Sequence, residues 1–155
     1  MEILVLGGTR FVGRKIAEAA LERGHRVTLF NRGVTDPQGV PGAEQVAGDR
    51  TVGLDALAGR RWDAVIDTSS SVPANVRRAT EALAGAAGRY VFVSTISVYP
   101  DFGSERIDED APVHAPDFDS LRPGPWSYGP MKAACETIVR DTFGGRALVV
   151  RPGTL

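Results

Sequence analysis

The chain is poor in the residues that build metal centres and covalent frameworks. It holds one cysteine, Cys135, so no disulfide can form within it, and a reducing cytoplasm is its expected compartment. Of its two histidines, His25 follows a helix-ending glycine and reads as a turn residue. His114 stands alone in a polar stretch without a second His or a Cys nearby, so no metal site is expected. Neither sign of charge is in excess: a net charge of −1 gives no electrostatic pull towards nucleic acid or a membrane surface. Long apolar runs are lacking too. The first, residues 3–6, is too short for a signal peptide or a membrane span, and no basic segment precedes it. Lysine is scarce: of 18 basic residues only Lys15 and Lys132 are not arginine. What remains is an ordinary globular composition in 155 residues, enough for one core and too few for two.

Strand-like and helix-like segments alternate along this chain. Residues 3–6 form an apolar strand ahead of a glycine turn. Residues 11–23 carry Val12, Ile16, Ala19, Ala20 and Leu21 at helical spacing, and Gly24 is placed to end that helix. Further strands are expected at 26–30, 45–47, 63–67, 90–93 and 147–150. Helices are expected from Pro73 to about Ala86, ahead of Gly88, and over 128–142. Strands without polar alternation, separated by helices, indicate a parallel sheet covered on both faces. Right-handed crossovers make it a doubly wound α/β sheet in the order 3-2-1-4-5-6. Residues 100–125 are polar and hold five of the ten prolines, as an active-site loop or an ordered excursion does. The chain stops at Arg151-Pro152-Gly153-Thr154-Leu155, directly after a strand, as a chain continuing in a longer parent would.

Residues 7–13 read GGTRFVG, between the first strand and the first helix. That is the context of a dinucleotide-binding loop. Gly7 permits the tight turn and Gly13 the close packing of helix on strand, while the first helical amides face a pyrophosphate. The middle position, where a further glycine lets backbone approach phosphate, is Arg10; its guanidinium is able to fold over the phosphates instead. After the second strand, Asn31-Arg32-Gly33 lacks the acid that bonds the ribose hydroxyls and repels a 2′-phosphate; Asp36 lies further out. Asn31 suits a ribose hydroxyl and Arg32 a 2′-phosphate, which favours NADP(H) over NAD(H), although a solvated loop arginine reads the same. Asp49, after the third strand, suits the adenine amino group or a plain turn.

Two further segments point to the same crevice. Ser94-Thr95-Ile96-Ser97-Val98-Tyr99 follows the fifth strand, and Tyr128 precedes Lys132 by four residues, one helical turn. An ammonium beside a phenol favours the phenolate, the form that accepts a proton from a substrate hydroxyl. Arginine is a poor substitute for a compact point charge, and in a chain that otherwise uses arginine the lysine is informative.

The chain resembles the extended short-chain dehydrogenase/reductase superfamily, in its NAD-dependent epimerase/dehydratase branch with a GGTRF-type loop. The matching pieces are LGGTRFVGR, FNRG, AGD, VFVSTISVY, IDEDAP, YGPMK with Glu136 behind it, and VVRPG, in the expected order over the whole chain. The resemblance implies a Rossmann-type domain with Thr95, Tyr128 and Lys132 as catalytic residues, Lys132 also binding the nicotinamide ribose. It implies cofactor contacts at Gly7, Thr9, Arg10, Phe11, Val12 and Gly13, with Thr68 and Ser69 where the backbone passes the cofactor. Members run to about twice this length, so the substrate lobe is expected beyond the RPG turn, and apolar surface is expected where it docks. Helices at 73–87 and 128–142 form dimer contacts in such proteins, which makes a homodimer an expectation. The substrate expected is a small molecule with a hydroxyl or carbonyl, sugar nucleotide-like. The rival class is a cofactor-sensing or nucleic-acid-associated protein that lost turnover; an intact Thr95, Tyr128 and Lys132 set argues against it.

Other candidates read as structural. Cys135 sits among Met131, Ala134, Ile138 and Val139 as a small buried hydrophobe. Glu105, Asp108, Glu109 and Asp110 form a solvated acidic run. Trp126 either lines a substrate or nicotinamide wall or anchors a proline-rich loop.

Overall fold

The computed structural model describes residues 1–34, 36, 38–101 and 107–153, so Glu105 of the acidic run, Thr154 and Leu155 lie outside the described residues. Strands β1 (Glu2–Leu6), β2 (Arg26–Asn31), β3 (Glu44–Ala47), β4 (Trp62–Asp67), β5 (Ala87–Val93) and β6 (Ala147–Val150) form one sheet. Their order is β3-β2-β1-β4-β5-β6, and every neighbouring pair is parallel. This is the expected doubly wound order, and it opens a crevice at the carboxyl ends of β1 and β4, where the winding reverses.

The lack of polar alternation in the strands has a direct cause. In β1, Leu4 and Leu6 join one apolar cluster while Ile3 and Val5 join the other, because alternate residues face opposite layers. The first cluster packs against α2 (Pro73–Leu83) and α3 (Tyr128–Phe143), through Val76, Leu83, Ile138 and Val139. The second packs against α1 (Phe11–Glu22), through Ala17 and Ala20. Cys135 is fully buried in the first cluster, and burial pushes its thiol up to about 12, the behaviour of an inert core residue.

The helix expected to run to about Ala86 stops earlier. α2 ends at Leu83 and β5 begins at Ala87, paired with Trp62. Gly88 thus lies inside a strand, where a Cβ would stand 2.8 Å from the Asp63 carbonyl. It permits close strand approach and does not end a helix. At the far edge of the sheet, Leu148 and Val150 of β6 are exposed. Among the described residues no helix is long and apolar enough to cross a membrane.

Candidate functional site

The glycine loop is shaped by what stands behind it. The Thr68 hydroxyl, after β4, donates to the Leu6 carbonyl at 3.1 Å and fills the space under the turn. A Cβ on Gly7 or on Gly13 would stand 2.8 Å from Thr68 Oγ1, and Gly7 also has φ +103°. Both glycines are therefore required by contact. Arg10 is different: its backbone is extended at φ −131°, ψ 146°, which any residue adopts, and its side chain is exposed. No glycine is needed there. Phe11 begins α1 at φ +42°, outside the usual range for a side chain of its size. The first turn of α1 carries no acidic residue and no side-chain cap, so its amides remain open to an anion.

Two cavities flank this loop. The first, of about 320 Å³, is lined by Gly7, Thr9, Asn31, Arg32, Asp49 and Ser69, among others. The second, of about 420 Å³, is lined by Arg10, Phe11, Val12, Gly13, Thr68 and Ser69 on one side and by Thr95, Tyr128 and Lys132 on the other. Every residue singled out for cofactor or chemistry lines one of the two, and Ser69 lines both.

Within the first cavity, side chains are largely committed to the protein itself. Asn31 donates to the Gly7 carbonyl at 3.3 Å and accepts from the Gly33 amide at 2.8 Å, so it braces the loop more than it offers itself to a ribose. Asp49 Oδ1 accepts from the Thr51 amide and hydroxyl at 2.8 and 2.7 Å, and these bonds hold its carboxyl below the ordinary value. Asp36 is held by Arg14 at 2.9 Å, away from the cavity lining. Arg32 is exposed on the rim, and Asp49 is the one acid of the lining among the described residues.

The second cavity joins helix and strand ends. α3 begins at Tyr128, and its approach depends on Gly129: a Cβ there would collide with the Ser97 carbonyl and stand 3.0 Å from His114. Tyr128 is half-buried. Lys132 is only 4% exposed; its Nζ donates to the Val93 carbonyl at 2.7 Å and the Ser70 carbonyl at 3.1 Å, and lies 4.1 Å from the Phe92 ring centre. Burial pushes its ammonium below the ordinary lysine value, and the Asp67 carboxylate works in the opposite direction. Thr95 Oγ1 donates to Ser97 Oγ at 3.2 Å and accepts from the Ser97 amide at 3.1 Å, capping a 3-10 turn over Ile96–Val98.

The sheet order, the loop and the second cavity are accompanied by a match to the model of the NAD dependent epimerase/dehydratase family over residues 3–155. The chain belongs to that family. It is 32% identical, over all of its length and 54% of the relative's, to the epimerase family protein SDR39U1 of Bos taurus. It is 34% identical to 2-alkyl-3-oxoalkanoate reductase of Stenotrophomonas maltophilia, over 63% of this chain and 34% of that one. Among solved structures, it is similar to a short-chain dehydrogenase/reductase superfamily protein of Agrobacterium tumefaciens with bound NAD. That similarity is 25% identity and a TM-score of 0.75, over 97% of this chain and 48% of that one. The chain thus spans about half the length of the first relative and of that structure.

Within this epimerase/dehydratase-family fold, several site-supporting residues carry no sequence signal. Arg50 reaches under the first cavity and grips Asp67, at the end of β4, with bonds of 2.6 and 2.7 Å. Tyr90 donates to the same carboxylate at 2.8 Å, and Arg50 also donates to Ser69 Oγ at 2.8 Å, while its Nε has no partner among the described residues. Burial pushes the Asp67 carboxyl up, but Arg50 and the hydrogen bonds outweigh it and the net direction is down. Arg151, after β6, binds Glu136 of α3 at 3.0 and 2.7 Å and donates to the Tyr99 hydroxyl at 2.8 Å, tying α3 to the turn that carries Thr95. Asp108, Glu109 and Asp110 are exposed, as a solvated run should be. Trp126 is 92% exposed and lines neither cavity, so it neither anchors its loop nor walls the site.

Proposed function

We propose that this domain holds a nicotinamide dinucleotide across the two cavities and serves an oxidoreductase, epimerase or dehydratase acting on a hydroxyl or carbonyl substrate. The observation that carries this is the gathering of Thr95, Tyr128, Lys132 and the phosphate loop around one cavity. The residues fit such a group: the turn is emptied of side chains at Gly7 and Gly13, and the open N-terminus of α1 favours a pyrophosphate. Gly7, Thr9, Asn31, Arg32 and Asp49 would hold the adenosine half. Arg10, Phe11, Val12 and Gly13 would hold the phosphates, and Thr68, Ser69 and Lys132 the passage to the nicotinamide half. The cofactor supplies hydride exchange at the substrate carbon.

The chain's own part is proton and charge management. Lys132, fixed by two carbonyls, sets a positive charge one turn from Tyr128, which takes a proton from a substrate hydroxyl or returns one to a carbonyl. Thr95 exchanges its bond to Ser97 for one to the substrate oxygen. NADP(H) is favoured, with NAD(H) as second cofactor, because Arg32 stands exposed on the rim and the end of β2 carries no acid of its own, Asp36 being held by Arg14; Asp49, in the same lining and near enough to feel the Arg32 charge, is already bonded to Thr51. The family's description and the NAD-bound relative support the dinucleotide as such. A sugar nucleotide-like substrate follows from the resemblance, and a carbonyl substrate from the oxoalkanoate reductase relative.

The deciding experiment replaces Tyr128 with Phe in protein that turns over one of a panel of sugar nucleotides and oxo acids. A rate loss of about 10²–10⁴-fold with unchanged dinucleotide affinity is expected. Turnover that survives the change removes Tyr128 from the chemistry.

A further inference from the structure

Asp67 has no role in the reaction proposed above, although it is a fully buried carboxylate at the carboxyl end of β4, directly before Thr68 and Ser69 of the second cavity. Arg50 and the Tyr90 hydroxyl satisfy it with bonds of 2.6, 2.7 and 2.8 Å. A buried pair of this kind is often no more stable than apolar residues of the same volume, so stability alone does not account for it.

Two links run from the pair to Lys132. The first is the turn after β4. Asp67 Oδ1 accepts from the Ser69 amide at 3.2 Å, and Arg50 donates to Ser69 Oγ at 2.8 Å. The next carbonyl, that of Ser70, accepts from Lys132 Nζ at 3.1 Å. The second link is the sheet. Asp67 is in register with Phe92 of β5, and Lys132 Nζ lies 4.1 Å from the centre of that ring. Carboxylate and ammonium therefore flank one residue on one face of the sheet.

Lys132 needs a counter-charge. It is almost fully buried, and its direct partners are two carbonyls and the Phe92 ring, none of which carries a full charge. Glu136 of α3 is taken up by Arg151 and Arg140. Burial lowers the ammonium, and Asp67 is the strongest opposing influence, ahead of Cys135 and Glu136; Arg50 acts with burial, but more weakly than Asp67 acts against it. Tyr90 faces the carboxylate, and Tyr128 lies one turn along α3.

We infer that the Arg50–Asp67 pair positions Lys132: it sets the turn whose carbonyl receives the ammonium, and the Asp67 carboxylate supplies the counter-charge that keeps it protonated. This rests on the reading of Lys132 given above. It also joins the two cavities, since Arg50 lines the first and Lys132 the second.

The test needs neither cofactor nor substrate. The chain has two lysines, so protein labelled with carbon-13 at lysine Cε gives two signals to follow by NMR against pH, with the exposed Lys15 as internal reference. In wild type, Lys132 should be protonated at pH 7; a neutral amine there would overturn the inference. Asp67→Asn should move the Lys132 midpoint down by about one pH unit and leave Lys15 in place. Arg50→Met combined with Asp67→Asn strands no charge, so folding does not depend on the pair. Its Lys132 midpoint should also fall, by less than in Asp67→Asn, because the weaker opposing charge has gone too. An unchanged midpoint in either variant would leave the pair a purely structural role and overturn the inference. So would a rise towards the ordinary lysine value, the mark of a loosened and hydrated site. Either failure leaves the proposed reaction standing, whereas turnover that survives Tyr128→Phe removes the chemistry and leaves this charge coupling in place.

Discussion

The two cavities at the crevice differ in how far their polar groups are already spent. Around the first, Asn31, Asp49 and Arg50 each hold a neighbouring segment: the glycine loop, the turn after β3, and the end of β4. Around the second, the side chains of Arg10, Tyr128 and Ser94 have no hydrogen-bond partner among the described residues. On the proposed reading, the first cavity would offer the adenosine half a largely preformed scaffold, whereas in the second, beside the already bonded Thr95 and Lys132, Arg10 and Tyr128 would be free to meet cofactor and substrate. A dinucleotide would gain its fixed reference frame from the first and its reactive contacts from the second.

The sharpest way to break this comparison is at Arg50. Replacing it with Met strands the Asp67 carboxylate in the core, and breaking a buried pair in this way costs about 3–5 kcal/mol. Urea denaturation should report a loss of that size; one below about 1 kcal/mol would mean that the first cavity is not a scaffold. The same pair sets an acid dependence. Asp67 binds its proton less tightly folded than unfolded, so its contribution is fully present above the ordinary aspartate value of about 3.9 and is lost as pH falls through the depressed folded value. Between pH 7 and pH 3, wild type should lose more stability than Asp67→Asn; equal losses would contradict the assignment.

Smaller effects sharpen the contrast at the rim. Arg32→Ala should weaken NADPH by about 10–100-fold, the worth of a charge-assisted bond, and leave NADH nearly unchanged. Parallel losses for both would remove the 2′-phosphate role. Arg10→Gly should weaken either dinucleotide by about three- to fivefold, with little effect on folding because the extended backbone at residue 10 accepts any side chain. Tighter or unchanged binding would deny Arg10 a cofactor contact.

Much of this organisation was legible in residue order. Apolar runs without alternation announced a sheet covered on both faces, and the order of its strands followed from handed crossovers. GGTRFVG announced the turn, and Tyr128 and Lys132, one turn apart, announced the second cavity. The supporting residues were not legible, because long-range contact leaves no spacing. Arg50 and Asp67 meet only through the sheet, Gly129 is explained only by the Ser97 carbonyl above it, and Arg151 finds Glu136 only once β6 lies beside α3. Asn31 shows a second role that residue order did not announce. An amide at the end of β2 suggested a ribose partner, whereas most of its capacity goes to Gly7 and Gly33. Trp126 was weighed as a wall or an anchor, and its exposure fits neither.

The central claim is that one dinucleotide spans both cavities, and fluorescence titration of the protein with NADPH and with NADH tests it most directly. Saturable binding of both is predicted, NADPH the tighter. No binding of either at high micromolar concentration would contradict it.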